Sequence, residues 1–188
     1  MHKNRVKHPS HGLEFNVAQL LKETTGAVRT YEIETDLQGD FDDEELKIVA
    51  PLTGQVRFLR TGPNILATGE LQTSIEKNCG RCLTSFTAPV AIELEEEFFP
   101  TLDIITGAAI TQPPEIEAAN LIDEQHILDL AEVVRQELLV AGGTQLYCRP
   151  DCKGLCPHCG QDLNAGSCNC REDVVDPRWA GLQTLLED

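Results

Sequence analysis

The chain has 188 residues, of which 41% are hydrophobic, and a formal net charge of −16 at pH 7. It is long enough to bury a core and too apolar for general disorder, and no run reaches the length of a transmembrane helix. The acidity argues against nucleic-acid binding through the whole surface, because phosphate would be repelled. The charge is also uneven. Residues 91–140 carry twelve Asp and Glu against one Arg, whereas residues 52–82 carry Arg57, Arg60, Lys77 and Arg81 against Glu70 and Glu76. Acid of this kind keeps a small protein in solution, or meets a basic protein partner. A local basic face remains open to phosphate.

Residues 1–11 are basic, and no apolar stretch of the secretory type follows them, so a cytoplasmic protein is expected. Phe15, Val17, Leu20 and Leu21 predict a short strand turning into a helical turn. Residues 28–34 alternate, with Tyr31 and Ile33 between Glu32 and Glu34, and predict a strand. Residues 36–45 are polar, contain Gly39 and read as a loop or hairpin tip. Four extended segments follow at 46–50, 54–60, 65–77 and 86–99, with a Thr-Gly-Pro-Asn turn at 61–64. They predict an antiparallel meander, curled or closed into a barrel-like sheet. Residues 106–120 hold a Pro pair and little periodicity, and read as a surface loop.

Ile127, Leu130, Ala131, Val134, Leu138 and Leu139 recur at helical spacing, which predicts a helix over 123–140, capped by Asp123 and stopped by Gly142 and Gly143. A second, short amphipathic helix is predicted from Asp176-Pro177, with Trp179, Leu182, Leu185 and Leu186 on one side. The fold class is therefore α+β. A β-rich core domain with one long helix spans 1–145, and a small cysteine-rich, zinc-binding region spans 146–188.

The eight cysteines fall in close C-x-x-C, C-x3-C and C-x-C steps. Such steps suit a metal in a reducing compartment better than a disulfide framework. Zinc takes four ligands in a tetrahedron, and a C-x-x-C turn brings two thiolates to one ion. Cys156 and Cys159, in CPHCG, are expected to share an ion with Cys168 and Cys170. Cys79 and Cys82 lie between two predicted strands; joined with Cys148 and Cys152 they make a second four-thiolate set, giving two Zn2+ ions. Other pairings stay open: Cys148 and Cys152 with Cys156 and Cys159, or one pair left as free thiols. Complete thiolate sets leave no open coordination position, and neither His126 nor His158 has a convincing nucleophile or acid partner nearby in sequence, so no enzyme and no small-molecule substrate is expected. A redox role for the C-x-x-C steps is the rival. Redox pairs usually sit at a helix N-terminus, and Cys79 follows a strand instead. An iron site of rubredoxin type and a plain structural zinc module of a larger complex are further alternatives.

The run from Cys148 to Asn164, CRPDCKGLCPHCGQDLN, followed by Cys-Asn-Cys and then Asp-Pro-Arg-Trp, resembles the C-terminal half of cysteine-rich bacterial members of the YceD family, the large ribosomal RNA subunit accumulation protein. The Cys-Gly-Arg-Cys-Leu step at 79–83 is similar to the same family's middle region. The resemblance implies ribosome biogenesis: a factor supporting large-subunit rRNA accumulation or processing, with no known catalytic step. Two partners fit. One is precursor rRNA, with Arg57, Arg60, Lys77, Arg81, Arg149, Lys153 and Arg171 as candidate phosphate contacts. The other is a basic large-subunit ribosomal protein held on the acidic face.

Overall fold

A computed structural model of the chain describes residues 12–39, 41, 46–144 and 147–170. Those residues are mostly sheet, with two helices and a 3-10 turn. In chain order the elements are β1 (Glu14–Asn16), α1 (Ala18–Lys22), β2 (Val28–Thr35), β3 (Lys47–Ile48), β4 (Leu52–Arg60), β5 (Ile65–Asn78), β6 (Ser85–Pro100), β7 (Leu121–Ile122), β8 (Ile127–Asp129) and α2 (Ala131–Thr144). The main sheet runs β2-β4-β5-β6-β7, antiparallel except for the parallel β6–β7 pair; β1 and β8 form a separate two-stranded ribbon.

The meander follows from alternation. In β4 to β6 the buried apolar residues fall on alternate positions: Leu52, Val56 and Phe58; Ile65, Ala67, Leu71 and Ile75; Ala88, Val90, Ile92, Leu94 and Phe98. Burying each such Leu, Ile or Phe is worth about 1.5–3 kcal/mol relative to exposure. β3 and β4 lie along the same edge of β5, but four residues, 49–52, stand opposite two, 73 and 74. Pro51 has no N–H to give the ladder, and the Thr73 hydroxyl closes the break by donating to the Ala50 carbonyl at 2.7 Å. Gly54 has φ +148°, and a Cβ there would sit 2.1 Å from the Glu70 carbonyl oxygen, so only glycine lets β4 and β5 approach so closely.

The sheet does not close into the expected barrel. Its apolar face is covered instead by α1, α2 and the β1–β8 ribbon, which bring Leu20, Leu21, Val133, Val134, Leu138 and Leu128 into the same core. Phe15 of β1 packs on Tyr31 and Phe58, with ring centroids 4.9 and 5.1 Å apart. The free edges therefore never need to meet.

The helix predicted over 123–140 begins only at Ala131. The Asp123 carboxylate accepts from the backbone N–H of Gln125 at 2.9 Å and of Ile127 at 2.8 Å, and His126 takes φ +60°. This tight turn joins β7 to β8, where Ile127 pairs with Asn16. Asp129, not Asp123, takes a first-turn amide, that of Ala131 at 2.9 Å. At the far end the helix runs through Gly142 and Gly143 to Thr144. In the loop expected over 106–120, Leu102 and Ala109 form a β-bridge and Ala118–Asn120 a 3-10 turn. The basic leader at 1–11, the predicted helix from Asp176 and the candidate Arg171 lie outside the described residues.

Candidate metal centres

The β5–β6 hairpin ends in a six-residue tip, Cys79 to Thr84. The Cys79 N–H donates to the Thr84 carbonyl at 3.0 Å, and the Leu83 N–H to the Cys79 carbonyl at 2.9 Å. Leu83 takes φ +60°, and the Arg81 N–H points at the Cys79 sulfur at 3.4 Å. The second C-x-x-C turn repeats this pattern. The Cys156 N–H donates to the Gln161 carbonyl at 2.8 Å, the Gly160 N–H to the Cys156 carbonyl at 2.9 Å, and the His158 N–H to the Cys156 sulfur at 3.4 Å. Gly160, with φ +73°, stands where the first turn has Leu83. Both turns aim two thiols to one side, with backbone N–H groups stabilising the leading sulfur.

The eight thiols gather in two sets, Cys79, Cys82, Cys148 and Cys152, and Cys156, Cys159, Cys168 and Cys170. Within each set all sulfurs lie within 4.8 Å of one another. Cys79 and Cys152, and likewise Cys82 and Cys148, are 3.8 Å apart, and Cys156 and Cys168 are 3.4 Å apart. A tetrahedron of thiolates about 2.3 Å from zinc has sulfurs about 3.8 Å apart, so the donor sets fit such an ion.

The thiol acidities point the same way. Burial raises the Cys79 thiol, but the amides of Cys148, Cys82 and Arg81 outweigh it and bring the pKa down to about 6. Hydrogen bonds from the Cys159 and His158 amides bring Cys156 to about 6. The Thr84 hydroxyl and amide lower Cys82. In contrast, burial and then the neighbouring thiols push Cys148 up to about 12, and the Cys159 thiol and then burial push Cys170 to about 12. Each set thus ionises in part and resists completion, because the last thiolate would join others already negative. A divalent cation held there would supply the missing positive charge.

The candidate cations have varied surroundings. Arg81 donates to the carbonyls of Pro150 at 3.2 Å and Cys152 at 3.0 Å, and its guanidinium lies 3.9 Å from the centre of the Tyr147 ring. It braces the first turn against the 147–152 segment. Lys77 donates to the Gly142 carbonyl, Arg60 to Gly62 at 2.8 Å, and Arg149 to Asn164 at 2.7 Å. Lys153 is exposed, and Arg57 is exposed on β4. Charge patterning alone did not reveal Gly154 or Asn164. A Cβ on Gly154 would meet the Arg81 carbonyl at 2.9 Å, and Asn164 reaches the Cys152 sulfur at 3.7 Å.

The outer face of the sheet is acidic. Strand register sets Glu34, Thr53, Gln72 and Ala91 in one row, Glu32, Gln55, Glu70 and Glu93 in the next, and Thr30, Arg57, Thr68 and Glu95 in a third. Five carboxylates thus share these rows with one guanidinium, and Glu32, Glu70, Glu93 and Glu95 line a cleft of about 720 Å3 with Arg57. Among the described residues no helix is long and apolar enough to cross a membrane.

A family model described as large ribosomal RNA subunit accumulation protein YceD matches residues 67–186, which include both cysteine sets. The chain belongs to the YceD family. Uncharacterized proteins of Mycobacterium bovis and Mycobacterium tuberculosis are each 35% identical to it over 136 residues, which is 70% of this chain and 60% of theirs. One from Mycobacterium leprae is 28% identical over 142 residues, 73% of this chain and 60% of its own. The YceD chain described here thus spans about 60% of the length of the curated relatives it matches. No solved structure matches it. The YceD name implies a role in large-subunit ribosomal RNA accumulation.

Proposed function

We propose that this YceD chain is a cytoplasmic, non-catalytic factor that helps large-subunit ribosomal RNA accumulate by holding a basic large-subunit ribosomal protein before assembly. The family supplies the process. The acidic rows on the open sheet face carry the choice of partner, because three successive rows present Glu32, Glu34, Glu70, Glu93 and Glu95 against Arg57, and Lys47 further along is paired with Glu76. A lysine- or arginine-rich segment complements such a field, and a phosphate backbone does not. Several of the cations that would track phosphate are instead engaged inside the molecule: Lys77, Arg81 and Arg149 hold carbonyls or Asn164. The two thiolate sets would each hold Zn2+ with all four positions filled, so the metal's task is structural.

The test is a calorimetric titration with a purified basic large-subunit protein at low and high salt, beside gel shifts with a precursor rRNA fragment. Tight binding of the protein that weakens with salt, and is lost in the quadruple variant E32Q/E70Q/E93Q/E95Q, is the expected result. A shift of naked rRNA that is lost on neutralising Arg57 and Lys153, with no binding of the basic protein, would overturn the reading in favour of direct RNA contact.

A further inference from the structure

We propose that the two metal centres are energetically coupled and that Asn164 is the residue that couples them. This rests on reading the two cysteine sets as metal centres, and adds that neither binds independently of the other.

Asn164 belongs to the second centre by sequence, since it lies in the loop between Cys159 and Cys168. Its side chain serves the first. Its carbonyl oxygen accepts from the Lys153 N–H at 2.9 Å and from Arg149 at 2.7 Å, holding both flanks of Cys152. Its amide nitrogen lies 3.7 Å from the Cys152 sulfur, as a donor to that thiolate. Asp162 fixes this orientation by accepting from the Asn164 backbone N–H at 2.9 Å and from its side-chain amide at 2.7 Å. The loop that a metal at the second centre would close therefore delivers a hydrogen-bond donor to a ligand of the first.

The covalent link is equally short. Only Lys153, Gly154 and Leu155 separate Cys152 of one set from Cys156 of the other. The Leu155 N–H donates to the Arg81 carbonyl at 3.0 Å, and the Leu163 N–H to the Gly154 carbonyl at 2.9 Å, so both turns share this linker. Whichever ion binds first orders the linker and the 160–167 loop, and the second ion meets a site already shaped. By linkage the effect is the same in either direction. Residues that orient a metal ligand typically change affinity by about 10–100-fold, which sets the size expected for the coupling.

The experiment measures zinc affinity by competition with a chromophoric chelator, on reduced full-length protein without oxygen. C168S/C170S reads the first centre alone, and C79S/C82S reads the second alone. The product of the two constants in the unmutated chain should exceed the product of the single-centre constants by about 10–100-fold. Asn164→Ala should bring that ratio close to one while C79S/C82S/N164A binds its single zinc as C79S/C82S does. A ratio of one in the unmutated chain would overturn the coupling while leaving two metal centres. A ratio that Asn164→Ala leaves intact, or a loss confined to the second centre, would overturn the role of Asn164. Absence of zinc binding by any form would overturn the metal reading itself.

Discussion

The first cysteine set ties the sheet to a distant part of the chain, and the second does not, so their loss should have unequal effects. Cys82 and Cys148 are 66 residues apart, whereas Cys156 and Cys168 are 12 apart. A cross-link closing a loop as long as the first is worth about 4 kcal/mol through restriction of the unfolded chain. Zinc still bound in the unfolded chain keeps that loop closed, and the lost freedom is what the sheet gains. The second set can stay closed while the sheet unfolds, so it reaches the sheet only through the coupling, about 1.4–2.7 kcal/mol for a 10–100-fold change in affinity. The perturbation is C148S/C152S against C168S/C170S, each in the presence of excess zinc, with urea unfolding followed by the circular dichroism of the sheet. With a slope of about 2 kcal/mol per molar urea, the first variant should lower the midpoint by about 2 M and the second by about 0.7–1.4 M. Equal shifts, or a larger shift for the second variant, would refute the loop-closure argument.

Three further outcomes follow from particular geometries. In metal-free, reduced protein, Cys79 and Cys156 have folded-state pKa values of about 6 against an ordinary 9.0; between those values the unfolded chain binds more protons, so stability should rise with pH. Above 9.0 the sign reverses, because Cys148 and Cys170, raised to about 12, stay protonated while the unfolded thiols ionise; a urea midpoint that is flat or falling between pH 6.5 and 8.5 would contradict this. Gly54→Ala should lower the urea midpoint by about 1–2 M, from about 1–3 kcal/mol of crowding against the Glu70 carbonyl with backbone strain added, and an unchanged midpoint would place β4 and β5 further apart. His126→Gly should leave stability unchanged or raise it by up to about 1 kcal/mol, since relief of the left-handed conformation offsets glycine's greater chain entropy, and a clear loss would mean the imidazole itself is needed in the turn.

Much of the sheet was legible because alternation is a local property. The rows of Leu71, Thr73 and Ile75 against Gln72, Ser74 and Glu76 give β5 directly, and its hairpin with β6 places Cys79 and Cys82 at a tip. What covers the apolar face is not local. Alternation in β4 to β6 says that one side is buried, and leaves open whether it is closed by the sheet itself or, as here, by two helices and a ribbon. The misplaced helix start has a sharper cause. Ile127, Leu130, Ala131 and Val134 satisfy helical spacing, but Ile127 and Leu128 belong to a strand paired with β1, and the Asp123 carboxylate competes with the helix for the local amides. For the cysteines, spacing identified each close pair, while the meeting of the 79–82 turn with Cys148 and Cys152 depends on contacts across at least 66 residues. Charge alone says nothing about whether a guanidinium is engaged. Arg81, singled out for phosphate, instead donates to two carbonyls beside the first centre.

The acidic face carries an internal cost that bears on its purpose. Glu70 stands directly opposite Glu93, and the Gln55 between Glu32 and Glu70 donates to Glu32 at 2.6 Å, leaving the Glu70–Glu93 pair without a cation in its row. Like charges at such positions destabilise a sheet by about 0.2–1 kcal/mol, and the charge could be removed without touching the core. If the acid served solubility alone, it could be scattered over the loops at no cost to the ladder. Concentration on one concave face, in register across four strands, is what a basic partner would reward. The two roles then separate experimentally: Glu70→Gln should stabilise the free protein slightly while weakening its hold on the basic protein. A substitution that stabilised the protein without affecting binding would leave the face as a solvated surface and nothing more.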